Sequence, residues 1–189
     1  MENDLVESLV FLRSVIRNPL AVGALLPSSP RLSRLIASGV DPDSPAVVEV
    51  GAGTGPVTRE LLKRGIGPER LFLIERNPEF VAYLQDRFPR VHVICGDAID
   101  ARRILARKGV GPINTVISSL PIRNLSRHEQ VTTIEAMMKV LAPGGQLIQY
   151  SYGSGFPVPT QKLGIDVQRL GRVWMNVPPA EVWCLTRRI

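Results

Sequence analysis

From residue 46 onward, short apolar runs alternate with segments of helical period. That pattern constrains the chain more than any other feature, because it is the signature of βα units whose strands pair in parallel and whose helices cover the sheet. Strands are predicted at 46–50 (AVVEV), 71–75 (LFLIE), 91–96 (VHVICG), 114–119 (NTVISS) and 145–152 (GQLIQYSY), with helices over about 56–64, 78–87, 99–108 and 126–141. Beyond 152 the helical period stops. A Gly/Pro-rich stretch, GSGFPVP, leads to two further runs, 167–176 and 180–187, and the Pro178-Pro179 pair between them predicts an antiparallel hairpin. Residues 1–45 read as two helices, about 3–17 and 29–38, the second starting at Pro30 with Ser28 and Ser29 as candidate caps. A chain of 189 residues suits one core. The expected organisation is an N-terminal helical extension (1–45) followed by one α/β domain (46–189).

The first strand runs directly into Gly51-Ala52-Gly53-Thr54-Gly55 and then a helix, so a ligand can approach the backbone where side chains would block it. A dinucleotide fingerprint needs another small residue one position later, beside helix N–H groups that hold a pyrophosphate. Here that position is Pro56, which has no N–H. S-adenosylmethionine has no phosphate and carries an ammonium and a sulfonium instead. It therefore fits the pattern better, and Gly51 to Gly55 are its candidate cradle.

Three acids support the same ligand. Glu49 lies inside an apolar strand, where a carboxylate is costly unless it meets a cation; the cofactor's ammonium is one candidate, and an arginine from the N-terminal helices is the alternative. Glu75 ends the second strand, near the spacing at which an acid accepts from ribose hydroxyls. Asp97 ends the third, where its carboxylate suits the adenine amino group and the Ala98 N–H a ring nitrogen. Each acid has the plainer alternative of capping the next helix. Ser29, Arg76 and Ser118 complete the candidate cofactor set, and no metal is expected.

Several segments resemble a known group, the bacterial soluble-type phospholipid N-methyltransferases: NPLAVGALLPSSPRLSRLI, EVGAGTGPVTRELL, IERNPEF, GDA, VISSLPI, LAPGGQLIQYSYG and WMNVPPAEVW. The resemblance implies a class I methyltransferase fold, a Rossmann-like, mostly parallel sheet with a C-terminal antiparallel hairpin. It also implies successive methylation of phosphatidylethanolamine toward phosphatidylcholine, with S-adenosyl-L-methionine as donor and S-adenosylhomocysteine as product. The ribosomal RNA adenine dimethyltransferases are related at the fold level. They carry an Asn-Leu-Pro-Tyr/Phe segment after the fourth strand, whose amide and ring hold the base; here Ser119-Leu120-Pro121-Ile122 stands there, lacking both. With 5% aromatic content the chain offers few platforms for base stacking, and no nucleic acid is expected.

Methyl transfer from a sulfonium needs neither a metal nor a covalent intermediate, only an aligned, deprotonated amine. The carbonyls of Ser119 and Leu120, held open by Pro121, are candidates to orient that amine, with Tyr152 beside them and Tyr150 lining the pocket. Alternation puts both tyrosines on one face, so core packing is the alternative for at least one. Arg123 is the candidate partner of a lipid phosphate, with Arg31 and Arg34 as competitors. No general base stands out, and the arginines of 102–107 read as a solvated helix face.

With 23 basic and 17 acidic residues the net charge is +6, which favours an anionic partner. The expected partners are an anionic membrane surface and its phospholipid. The protein is expected to be cytoplasmic, peripheral to the inner face of the cell membrane, and monomeric in solution. Leu5, Leu9, Leu12 and Ile16 place an apolar stripe on the first helix, which suits either the bilayer or the protein's own sheet. Phe156, in the 153–159 loop, is a second candidate for the interface. Cys95 and Cys184, in apolar runs without metal-site spacing, are expected as buried, reduced thiols. The competing readings are an RNA or small-molecule methyltransferase and a non-catalytic cofactor-binding protein.

Overall fold

The computed structural model describes residues 28–160, 163–176 and 178–188. Its strands are β1 (Val47–Val50), β2 (Leu71–Glu75), β3 (His92–Cys95), β4 (Thr115–Ser118), β5 (Gln146–Tyr152), β6 (Ile165–Val173) and β7 (Ala180–Arg187). They form one sheet in the order β3-β2-β1-β4-β5-β7-β6. The first five pair in parallel, and β7 inserts antiparallel between β5 and β6. The mostly parallel sheet and closing hairpin are those expected from the sequence. The chain order reverses between β1 and β4, so the crevice outside their carboxyl ends is where an open α/β sheet takes a ligand.

Helices α1 (Pro30–Ser38), α2 (Pro56–Lys63), α3 (Pro78–Arg87), α4 (Ala101–Arg107) and α5 (Arg127–Met138) cover the sheet. Leu32 and Ile36 of α1, with Val57 and Leu61 of α2, share a core cluster with Val47, Ile117, Ile148 and Tyr150 on one face. The other face buries Val48, Val116 and Leu147 with Leu105 of α4 and Ile134 of α5. Burial on both faces explains why β1 reads as a continuous apolar run interrupted only by Glu49.

Boundaries shift where local hydrogen bonding overrides periodicity. The helix expected from 99 begins as a 3-10 turn, Ala98–Asp100, capped by Asp97, and α4 follows from Ala101. α5 stops at Met138, and the chain turns before Pro143, with the Ala142 N–H bonding the Ile113 carbonyl at 2.9 Å. β6 starts earlier than expected and ends at Val173, releasing residues 174–176 into the turn before β7. The expected helix 3–17 lies outside the described residues.

Cys95 is a correction. It is exposed, because β3 is the outer strand of the sheet and ends in solvent; Cys184 is half-buried, and both thiols are free.

Candidate active site

The loop after β1 is held in a left-handed path. Gly51, Gly53 and Gly55 have φ of 72°, 57° and 76°, a region that side-chain-bearing residues rarely adopt. A Cβ at Gly51 would lie 2.6 Å from Leu120 Cδ2, so the loop sits directly against the segment after β4. A Cβ at Gly53 would meet no heavy atom within 4 Å, so this peptide faces open space. Ala52 and Thr54 have their side chains buried and leave only backbone to the crevice. Pro56 opens α2, as the missing N–H requires.

Glu75 fixes the loop from the neighbouring strand. Its Oε2 accepts the Gly53 N–H at 3.0 Å and its Oε1 the Asn77 N–H at 2.9 Å. A carboxylate offers roughly four acceptor positions, so both oxygens keep capacity for a diol. Asp97 accepts the Ile99 N–H at 3.1 Å, and its other oxygen lies 3.7 Å from Arg76 Nη1. The helix-capping alternative is therefore realised at Asp97. Ala98 is buried at the start of the 3-10 turn.

Glu49 is fully buried. Thr58 Oγ1 donates to its Oε2 at 2.6 Å and Ser119 Oγ to its Oε1 at 3.1 Å. Burial pushes its carboxyl up to about 7, against the two hydroxyl donors, and the charge of Glu75 adds to the rise. Thr58 was not foreseen from the sequence. Its signal is a hydroxyl on the buried face of the helix that directly follows the glycine turn.

The segment after β4 is braced from β5. The Ser119 N–H bonds the Val50 carbonyl at 2.9 Å. The Ser119 carbonyl accepts from Tyr150 OH at 3.4 Å, and the Leu120 carbonyl from Gln149 Nε2 at 3.1 Å. Gln149, a buried amide within an apolar strand, is a second residue that sequence reasoning missed. Tyr150 belongs to the core, which is the packing alternative, and burial chiefly raises its phenol well above the ordinary range. Tyr152 is half-buried, stands edge-on to Tyr150 with ring centroids 5.7 Å apart, and is raised likewise by burial. Pro121 leads into a 3-10 turn, Ile122–Asn124, whose Ile122 is sunk into the core.

Two expected site residues, Arg123 and Ser29, are engaged elsewhere, and a third, Ser118, is buried away from the loop. Arg123 Nη2 donates to the Ser154 and Gly155 carbonyls at 2.7 and 2.6 Å, bracing the loop after β5. Ser29 caps α1, accepting from the Leu32 N–H at 3.2 Å, and donates to Asn176 Oδ1 at 2.5 Å. Ser118 is buried in β4, adjacent in the chain to Ser119, so alternation turns its side chain to the face opposite that of Glu49's partner. Its hydroxyl has no protein partner there.

The family model described as "Methyltransferase domain" matches residues 47–145, which span the cradle, the three acids and β4. An ornithine lipid N-methyltransferase of Singulisphaera acidiphila is 33% identical over 144 residues, covering 74% of this chain and 75% of the relative. A ribosomal RNA small subunit methyltransferase A of Chlorobium chlorochromatii is 35% identical over 65 residues, covering 34% of this chain and 23% of that protein. The magnesium protoporphyrin IX methyltransferase of Synechocystis PCC 6803, solved with bound S-adenosylhomocysteine, superposes with a TM-score of 0.65 over 89% of this chain and 87% of its own, at 11% identity. The chain belongs to the class I S-adenosylmethionine-dependent methyltransferases. S-adenosylmethionine is its cofactor, and S-adenosylhomocysteine the product. The residues fit that cofactor: an open peptide at Gly53, spare acceptor positions on Glu75, and a buried carboxyl at Glu49 whose described donors are neutral hydroxyls.

Proposed function

We propose that the protein N-methylates the amine of a membrane-lipid headgroup, converting phosphatidylethanolamine toward phosphatidylcholine at the surface of an anionic membrane. The observation that supports this most is the 144-residue match to an ornithine lipid N-methyltransferase, which covers three quarters of that relative. The rRNA relative is matched over only 65 residues. Ile122 stands where the RNA enzymes carry a stacking ring, and it is packed into the core. The relative's name supports a second reading, in which the accepting amine belongs to an ornithine lipid.

Bound S-adenosylmethionine supplies an activated methyl group on a sulfonium. Glu49, ionised, holds the cofactor's ammonium, Glu75 its ribose hydroxyls, and Asp97 with the Ala98 N–H its adenine. The Ser119 carbonyl accepts one protein donor, Tyr150 OH, and keeps a second lone pair for the incoming amine, while the Leu120 carbonyl already accepts both Gln149 Nε2 and the Ile122 N–H and contributes its dipole beside it. Tyr150 and Gln149 hold those carbonyls in place, so the amine meets fixed dipoles, and alignment of this kind supplies about 7–11 kcal/mol of a barrier. The ring of Tyr152 suits an amine that becomes progressively methylated and finally quaternary. Both phenols are raised by burial and stay protonated at neutral pH, so neither accepts the amine's proton.

No helix among the described residues is long and apolar enough to cross a membrane. The +6 net charge supports peripheral attachment to anionic headgroups at the inner face of the cell membrane. The test is a methylation assay with labelled donor, offering phosphatidylethanolamine vesicles, ornithine lipid vesicles, bulk RNA and small amines in parallel. Label entering chloroform-soluble material from phosphatidylethanolamine supports the proposal. Label from ornithine lipid alone moves the substrate to the second reading, and label in RNA or small amines alone overturns both.

A further inference from the structure

The turn between β6 and β7 carries the two most exposed large apolar side chains among the described residues, Trp174 at 70% and Met175 at 73% relative exposure. Val173 pairs with Ala180, and Ala180 with Tyr152, so the turn projects from the same carboxyl edge that holds the candidate active site. Asn176 accepts from Ser29, the cap of α1, and Arg31 Nη1 contacts Met175 Sδ. The body of the hairpin is seated against α1: a Cβ at Gly171 would lie 2.9 Å from Leu35 Cδ1. A supported tip thus presents two adjacent apolar side chains to solvent.

The charge around the tip is one-sided. The Arg172 guanidinium lies over the Trp174 ring, 3.9 Å from its centroid. Arg31 and Arg34 are exposed on α1, whose first turn contains no acid. Glu181 of β7, the acid that Arg172 reaches, is buried, 3.0 Å from Arg169 and 3.8 Å from Arg172. Among the described residues here, the negative charge is buried, while Arg31 and Arg34 are exposed and Arg172 is a quarter exposed. Phe156, the other aromatic candidate for the interface, packs on Trp183 with ring centroids 5.9 Å apart.

We infer that Trp174 and Met175 form a docking tip that enters the headgroup region of an anionic bilayer, with Arg31, Arg34 and Arg172 on the lipid phosphates. The inference deepens the lipid reading of the proposed function and rests on it for its purpose. An amphipathic ring suits the boundary where one side is apolar and the other wet, and each well-placed arginine adds attraction to anionic lipid. Because the tip and the cleft share one edge of the sheet, docking brings the crevice to the surface where headgroups lie.

The test uses the full chain and vesicles of phosphatidylglycerol with phosphatidylethanolamine. Co-sedimentation of the W174A/M175A double variant is expected to weaken about tenfold or more, with Trp174→Phe retaining most of the binding. In a Trp183→Phe background, Trp174 emission should shift to the blue on adding vesicles and be quenched by brominated lipid chains. Methylation of a short-chain aminolipid dispersed as monomers should be unchanged in W174A/M175A, while methylation of vesicle lipid falls with binding. Equal vesicle binding by the double variant and the wild type overturns the inference. So does a blue shift that follows protein concentration without vesicles, which gives the patch to a second copy of the chain. Vesicle binding that depends on Trp174, with no lipid methylated by the wild type, supports the docking tip and removes the lipid substrate.

Discussion

Two buried carboxylates on the sheet, one on interior β1 and one on β7, are treated differently. Glu181, on β7 opposite Arg172 of β6, receives Arg169 and Arg172 on one oxygen and the Gly155 N–H on the other, at 2.8 Å. Glu49, at the end of β1, receives the neutral hydroxyls of Thr58 and Ser119, and its carboxyl rises to about 7. A carboxylate in a low-dielectric interior needs a compensating cation. The hairpin supplies its own; the described donors to Glu49 are neutral hydroxyls, which leaves room for the proposed contact with the cofactor's ammonium. The apolar groups show the reverse, being covered around Glu49 and exposed at Trp174 and Met175. Under the proposed readings, one region receives a ligand and the other meets a surface.

The largest loss is expected at Gly53. Gly53→Val puts a β-branched residue at a φ of 57° and fills the open space the peptide faces, so cofactor binding is expected to fall more than about a hundredfold. Calorimetric titration of the folded variant checks this, and tight binding would displace the crevice from the loop.

The sharpest contrast between the two carboxylates is in pH dependence. The folded carboxyl of Glu49, at about 7, lies above its ordinary value of 4.5, so between those limits the folded chain binds more protons than the unfolded one. Stability of the cofactor-free protein is therefore expected to fall as pH rises from about 4.5 to about 7, by on the order of 3 kcal/mol, and to level off above that range. Glu49→Gln should flatten that profile in denaturant titrations and, at the same time, weaken cofactor binding at pH 8. A variant with the wild-type slope would remove Glu49 as its source.

Smaller effects are expected at the ribose and adenine positions. Glu75→Ala removes a charged acceptor and the anchor of the Gly53 N–H, and should cost about 1–3 kcal/mol of cofactor binding. Asp97→Ala, at a half-exposed capping residue, should cost about 1 kcal/mol. The reverse order would make the third strand end the stronger contact. The smallest effect is chemical: a thiol reagent should label exposed Cys95 quickly and Cys184 slowly, because burial raises the Cys184 thiol. Equal rates would mean that the two halves of the sheet do not differ in access.

Much of the fold was legible because its signals are local. Apolar runs of strand length bracketed by Pro and Gly placed β1, β2 and β5, and Pro56 and Pro78 marked two helix starts to the residue. The glycine turn and the acids at the ends of β1 to β3 were legible for the same reason. The residues missed, Thr58 and Gln149, depend on pairings across the fold. Thr58 reaches Glu49 only because α2 folds back over β1, and Gln149 reaches the Leu120 carbonyl only because β5 lies beside β4. Cys95 was misjudged because an apolar run shows strand character and not position in the sheet, and β3 is outermost. The engagement of Arg123 by the loop after β5 depends likewise on a tertiary contact.

Glu181 has one more consequence, for local opening. Its Oε1 holds two arginines of β6 and its Oε2 the amide of Gly155, whose carbonyl is also held by Arg123. The outermost ladder and the loop after β5 therefore share one anchor and are expected to open together. The Gly155 amide should exchange with solvent deuterium on the timescale of β6, far more slowly than its exposed position suggests.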